Sequence, residues 1–350
     1  MVKETPFVPV NVKCPFCETE STHRYIKSRM FQPDLLEEDT HVVTYKWENP
    51  EFAQVRPNLY HIWHCPACHF CDEKETFRGE DKSSGKLELI KEKLLIHSRM
   101  PKSMISRMGG AIDFSHDNYS MESAILAHLL AIYEQELLSP SMRQHAKLAR
   151  FYLRLAWLYR EKAALELPEE AVPAGFESFA AFLQSFKAEW PGIPVEEGPA
   201  LDVAMARYQD ILNFSSGADL KYEINIMNLL IAILRRNRRN AEALKMLRAV
   251  FSAATKARQI ARAAIQKGVN AVQQQNLLNF AAGVIEKTTE LAEQLGDIVF
   301  NEELPAAKEA VLKMGPVDAK TVVAKLRELK FADITCRRLG KMFEKQAMKK

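Results

Sequence analysis

The sequence has no long apolar run. Nothing in its 350 residues approaches the roughly 20 consecutive apolar residues that a membrane-spanning helix needs, so no membrane contact is expected. The opening stretch MVKETPFVPVNVK has neither the apolar core of a secretory signal nor an Arg-rich amphipathic pattern, which points to the cytoplasm. Charge of one sign is also missing: the formal net charge is only +3, and no global field points to a partner. Glycine is scarce, with 13 in the whole chain, and there is no phosphate-cradling Gly loop, no HExxH and no GxSxG. No convergent set of acid, base and nucleophile emerges, so the expectation is a protein that is not an enzyme. Beyond residue 71 there is a single cysteine, Cys336, which reads as a buried or incidental thiol.

What is present is concentrated at the start. Five of the six cysteines fall in the first 71 residues. Cys14 and Cys17 form one Cys-Pro-x-Cys knuckle, and Cys65 and Cys68 form a second of the same shape. A two-residue gap lets both sulfurs of a tight turn point to one side, and two such pairs close a tetrahedral four-thiolate site around structural zinc. Disulfides or a redox dithiol would suit a secreted or thioredoxin-like chain, which this is not. Cys71 extends the second knuckle and keeps an iron-sulfur cluster in view. His64 and His69 flank that knuckle and are the other alternates for a thiolate. Knuckles of this kind often carry Gly after the second Cys to permit a left-handed backbone; here those positions are Glu18 and His69.

The coarse pattern predicts a mainly α protein with a small β zinc ribbon. Residues 1–78 read as a zinc-ribbon-like metal-binding domain, with strands in STHRYIKSRM, THVVTYKW and LYHIWHC and a solvated acidic loop over Phe31 to Asp39. Residues 79–110 read as a linker and connecting helix, the charged joint RGEDKSSGK over 78–86 being the best boundary. Residues 111–300 read as a tetratricopeptide-like antiparallel helical array. Ser139 and Pro140 suit the cap and first turn of a helix through HAKLARFYLRLAWLYREKAALE. Leu153, Leu155, Ala156, Leu158 and Arg160 recur as Leu229, Ile231, Ala232, Leu234 and Arg236 at a constant offset of 76, near two helical-repeat lengths. ELPEEAVPAG and SSGAD interrupt the helices. The Pro-free stretch from Asn240 to Val299 predicts long helices with a break near Gly268 or Gly296, part of which is a candidate self-association arm. From Arg235 to Lys267 there are ten Lys or Arg against one acidic residue, Glu242. Residues 301–350 read as basic C-terminal helices around Lys330 to Thr335, either a degenerate helix-turn-helix or a terminal cap of the array.

The two knuckles followed by the run Tyr152 to Glu161, YLRLAWLYRE, resemble the bacterial domain-of-unknown-function family 2225, over about Val12 to Asn240. That resemblance implies a fold and a compartment and carries no established activity. The functional expectation is therefore a non-catalytic intracellular adaptor with a structural four-cysteine zinc site. It would take a protein partner in a groove edged by Tyr159, Arg160, Arg235 and Arg236. The alternative is a zinc-ribbon nucleic-acid-binding or regulatory protein using the basic patch and tail. Homo-oligomerisation is left open.

Overall fold

The computed structural model describes residues 5–80, 84–98, 100, 102–165, 172–214, 219–314 and 317–347. The chain divides into two compact units, residues 1–214 and 215–350. The interruption SSGAD falls at that division, and residues 215–218 lie outside the described residues, as do 81–83 of the charged joint and 166–171 of ELPEEAVPAG.

The first unit is built on three two-stranded antiparallel sheets: β1 (Phe7–Lys13) with β2 (Glu20–Ile26), β3 (Phe31–Leu36) with β4 (Val42–Trp47), and β5 (Ile62–His64) with β6 (Cys71–Glu73). The acidic stretch read as a solvated loop is a strand for its first six residues. Pro33 is tolerated because a two-stranded ribbon consists only of edges, and the register slips on either side of Leu35. The helices are α1 (Lys74–Phe77), α2 (Ser84–Ser98), α3 (Met104–Gly109), α4 (Met121–Glu136), α5 (His145–Leu165), α6 (Phe179–Gln184) and α7 (Glu197–Phe214). Helix α4 is capped by Ser120, whose side chain accepts from the Ser123 amide, and is buried along nearly its whole surface. A helix buried all round belongs in the middle of a unit, and α4 meets β5, β6, α2, α3 and α5. Pro140 opens a 3-10 turn, Pro140–Met142, rather than α5 itself, which starts at His145.

The second unit is all helical: α8 (Leu220–Arg236), α9 (Asn240–Gln266), α10 (Ala271–Leu312), α11 (Ala319–Glu328) and α12 (Asp333–Ala347). The break between the long helices is at Gly268, where φ is +71°, a value glycine adopts without steric cost. Gly296 lies inside α10, which runs unbroken through residue 300. Helices α9 and α10 pack along small side chains: Ala243, Leu247, Val250, Ala254, Ala257 and Ala261 on one, Ala281, Thr288 and Leu295 on the other. Spacings of three, four and seven keep each row on one face. The row read as a self-association arm is thus used within the chain. Helices α11 and α12 close on α10 over a cluster of Ala307, Val311, Val322, Leu326, Cys336 and Leu339, so Cys336 is a buried core thiol.

Two glycines predict opposite outcomes. A Cβ at Gly340 would stand 2.5 Å from Val323 Cγ2, and valine is stiff at that bond, so Gly340→Ala should lower stability by about 1–3 kcal/mol. Gly283, inside α10, has nothing within 4 Å of its Cβ position, and Gly283→Ala should raise it by about 0.5–1 kcal/mol. Urea unfolding followed by circular dichroism checks both signs.

Candidate metal centre and its anchoring seam

Each knuckle is the turn of a hairpin, the first joining β1 to β2 and the second β5 to β6. The two turns repeat one hydrogen-bond pattern. The Cys14 amide donates to Thr19 O at 2.9 Å and the Glu18 amide to Cys14 O at 3.0 Å; the Cys65 amide donates to Phe70 O and the His69 amide to Cys65 O, both at 2.8 Å. Glu18 and His69 take φ of 63° and 64°, the left-handed conformation the turn demands even without glycine. Phe16 and Phe70, one from each turn, pack with ring centroids 3.9 Å apart.

This symmetry brings four sulfurs together. Cys14 Sγ lies 3.6 Å from Cys68 Sγ and Cys17 Sγ lies 3.5 Å from Cys65 Sγ; all four are within 4.8 Å of one another. A disulfide would need about 2.05 Å, whereas a metal–sulfur bond of about 2.3 Å sets the edges of a tetrahedron near 3.8 Å. The donor set therefore fits a metal ion. Crowding makes the thiols interdependent. Hydrogen bonds from Cys14 and Cys68 hold the Cys65 thiol far below its ordinary range, contacts with Cys14 and Cys65 push Cys68 well up, and the Cys65 contact, against a lowering one from Cys68, pushes Cys14 up to about 12. A dication compensates the added charge when the remaining thiols ionise, so binding is coupled to proton release.

Cys71, His64 and His69 are not members of this group. Cys71 sits in β6 opposite His64, and its amide donates to both oxygens of the buried Glu134 carboxylate at 3.1 and 3.2 Å. Burial pushes its thiol well above the usual range. His64 Nε2 and His69 Nδ1 are 3.3 Å apart with the rings stacked. The His69 ring fills the space against α3 at Gly109, where a Cβ would stand 2.2 Å from its Cγ.

One face of α5 holds the head. Lys147 pairs with the buried Asp72 at 2.8 Å and donates to Thr76 Oγ1 at 3.1 Å. Arg150 and Arg154 each meet Glu73 at 3.0 Å. Trp157 Nε1 donates to Asp39 Oδ2 at 3.2 Å. Arg160 reaches Asp39 and Glu197 at 2.8 Å each, and also Glu37. Glu161 accepts from Asn58 and faces His41 Nε2 at 2.8 Å. Spacings of three, four, seven and ten residues put these side chains on one stripe. Tyr159 and Arg160, expected to edge a groove, are instead buried: Tyr159 donates to Pro194 O at 2.8 Å, and Arg160 is 7% exposed. Arg236, its counterpart at the offset of 76, is exposed.

Sequence reasoning missed the head's half of this seam: the acidic Glu37, Asp39, Asp72 and Glu73, with His41 among them. The available signal was Glu37-Glu38-Asp39 close to a histidine, together with basic residues at 147, 150, 154 and 160. Burial opposes the charged form of Asp39, but the Arg160 hydrogen bonds and charge prevail and hold it below 3.8. Against the same burial, Arg150 and Arg154 hold Glu73 below 4.5. For His41, burial lowers the pKa while Glu161 and Glu37 raise it, and the net direction is above 6.5.

The fold and the site define a mainly helical protein with a paired-knuckle, four-cysteine head. Residues 8–275 match the family described as "Uncharacterized protein conserved in bacteria (DUF2225)", and the chain belongs to that family. The match runs past the Asn240 limit of the sequence resemblance, through α9 and into the start of α10. No curated protein and no solved structure matches the chain.

Removing Arg160 leaves the buried Asp39 carboxylate without its cation, so Arg160→Ala should cost about 3 kcal/mol in urea unfolding. Asp39 and Glu73 contribute stability that is present above their unfolded pKa and lost as pH falls through the folded one. The contribution of His41 is full below 6.5 and lost as pH rises through its folded value. Asp39→Asn should accordingly flatten the acid limb of the stability profile and leave the alkaline limb in place.

Proposed function

We propose that the protein is a non-catalytic intracellular adaptor whose head is held by structural zinc on Cys14, Cys17, Cys65 and Cys68. The convergence of four sulfurs with no oxygen or nitrogen donor among them carries this reading. Four thiolates complete the coordination of zinc and leave no position for a reacting water. The absence, among the described residues, of a helix long and apolar enough to cross a membrane and six unpaired cysteines are in keeping with a reducing interior. With Tyr159 and Arg160 committed to the seam, the protein-binding surface moves to the β3–β4 hairpin. Leu35, Leu36 and Val43 are 55%, 54% and 42% exposed there, and neighbouring apolar side chains left in solvent mark contact surfaces. Antiparallel neighbours such as α4 with α5 and α9 with α10 support the tetratricopeptide-like description of the helices.

The second reading is binding of a polyanion, favoured by how charge is divided. Residues 1–214 carry 24 Lys and Arg against 31 Asp and Glu, net −7; residues 215–350 carry 24 against 14, net +10. A small total hides two strongly charged halves, and such asymmetry accompanies nucleic-acid contact.

Chain purified under reducing conditions should contain one equivalent of zinc by elemental mass spectrometry. Cys14→Ser and Cys68→Ser should lose the metal and destabilise the first unit, while Cys71→Ser should keep it. Stoichiometric zinc in both of the first two variants, or iron with visible absorbance, would defeat the assignment. For the adaptor role, tagged full-length chain should retain the same protein from its native lysate with and without nuclease. The combined Leu35→Asp, Leu36→Asp and Val43→Asp variant should lose that partner.

A further inference from the structure

Helix α9 and its C-terminal cap residue, Lys267, carry a straight basic ridge. Lys245, Lys256 and Lys267 recur every eleven residues, three helical turns apart, and so fall within about 40° of one another around the axis. The buried row from Ala243 to Ala261 lies on the opposite side of the helix. All three lysines are exposed; Glu242, the carboxylate near Lys245, is ion-paired with Arg239. Arg248 flanks the ridge where it meets Asp333, which also takes Arg327 and Arg337. Three guanidinium groups around one carboxylate leave a local positive excess.

We propose that this ridge binds the phosphate backbones of a nucleic-acid duplex without reading sequence. The inference deepens the second reading above and is independent of the zinc assignment. Its basis is spacing. Eleven residues of α-helix rise about 16.5 Å. A line along a duplex crosses its two backbones twice in a helical turn of about 34 Å, roughly every 17 Å on average. The three lysines therefore span about one turn of duplex, about 33 Å, and meet successive strands. The flexible lysine stems take up the unequal groove widths.

The residues between the lysines narrow the choice of polyanion. Ala249, Ser252, Gln259 and Ala263 occupy the ridge face and are exposed. They are small or polar, which permits close approach to a backbone. Ile260 at the edge of that face is exposed and lines a pocket with Leu220, Leu277 and Phe280, so the ridge face itself lacks the continuous apolar surface that enters a lipid surface. Phe251 is the only aromatic residue between Asn237 and Lys267, so the stacking platform of a single-strand binder is missing.

The test is fluorescence anisotropy with the full-length chain across a salt series. The probes are a DNA duplex of arbitrary sequence about two turns long, its single strand, and vesicles of phosphatidylcholine with phosphatidylglycerol. The duplex should bind most tightly. Lys245→Glu, Lys256→Glu and Lys267→Glu together should weaken binding at least about tenfold and flatten the log–log salt slope by about 0.9 for each phosphate no longer neutralised. A control combining Lys287→Glu, Lys308→Glu and Lys320→Glu, three exposed lysines of the same unit, makes the same change in charge and should weaken it much less. Equal weakening in the two triple variants, tighter binding to single strand or vesicles, or no duplex binding at low salt would each overturn the proposal. Zinc content measured on the same samples shows whether the head is intact.

Discussion

Four sulfurs within 4.8 Å of one another cannot all ionise without a cation among them, and the first seventy residues are arranged to impose that crowding. Three two-stranded ribbons contribute little apolar area, and a domain of this size seldom stabilises itself without a staple. A metal ion would replace mutual repulsion with four bonds and tie the β1–β2 turn to the β5–β6 turn. The equivalence of the two turns follows from the same demand: each must aim two sulfurs inward, and each places a non-glycine residue in the left-handed region to do so.

The head does not stand apart from the helices. Its strands end in carboxylates that meet the basic stripe of α5, and the buried Asp72–Lys147 and Asp39–Arg160 pairs lie between sheet and helix. Such pairs contribute little net stability compared with apolar contacts of the same volume, but breaking one is costly. Their consequence here is positional. A shift of α5 by one turn would leave several buried charges unmatched, so the seam fixes the register between the metal-binding turns and the helical scaffold. Within the YLRLAWLYRE run, Trp157, Arg160 and Glu161 all serve the junction.

Much of this was legible in the residues. Cys-x2-Cys spacing located the sulfurs because a tight turn leaves few ways to place two neighbouring side chains, and the 3.6-residue periodicity located α4, α5, α8 and α9. What escaped was non-local. FQPDLL looks like a loop because Pro33 and Asp34 are poor strand formers, yet pairing with VVTYKW overrides that preference. Arg160 looks like a solvated cation, and only the fold brings Glu37, Asp39 and Glu197 to it. Its counterpart Arg236 shares the local sequence pattern and is exposed, so identical local signals led to opposite environments. Gly268 and Gly296 were equivalent as breaks until packing distinguished them. The first sits in a turn that needs a positive φ, and the second lets Ile334 of α12 approach to 3.6 Å from its Cβ position.

The division of charge follows the division of the chain into two units. Carboxylates exceed cations in the unit that holds the metal-binding head, and several of them are consumed by α5. Cations exceed carboxylates in the other unit, where the buried row of α9 is made of small apolar residues and the lysines are left on the outer face. A polyanion meeting this protein is repelled by the first unit and attracted by the second.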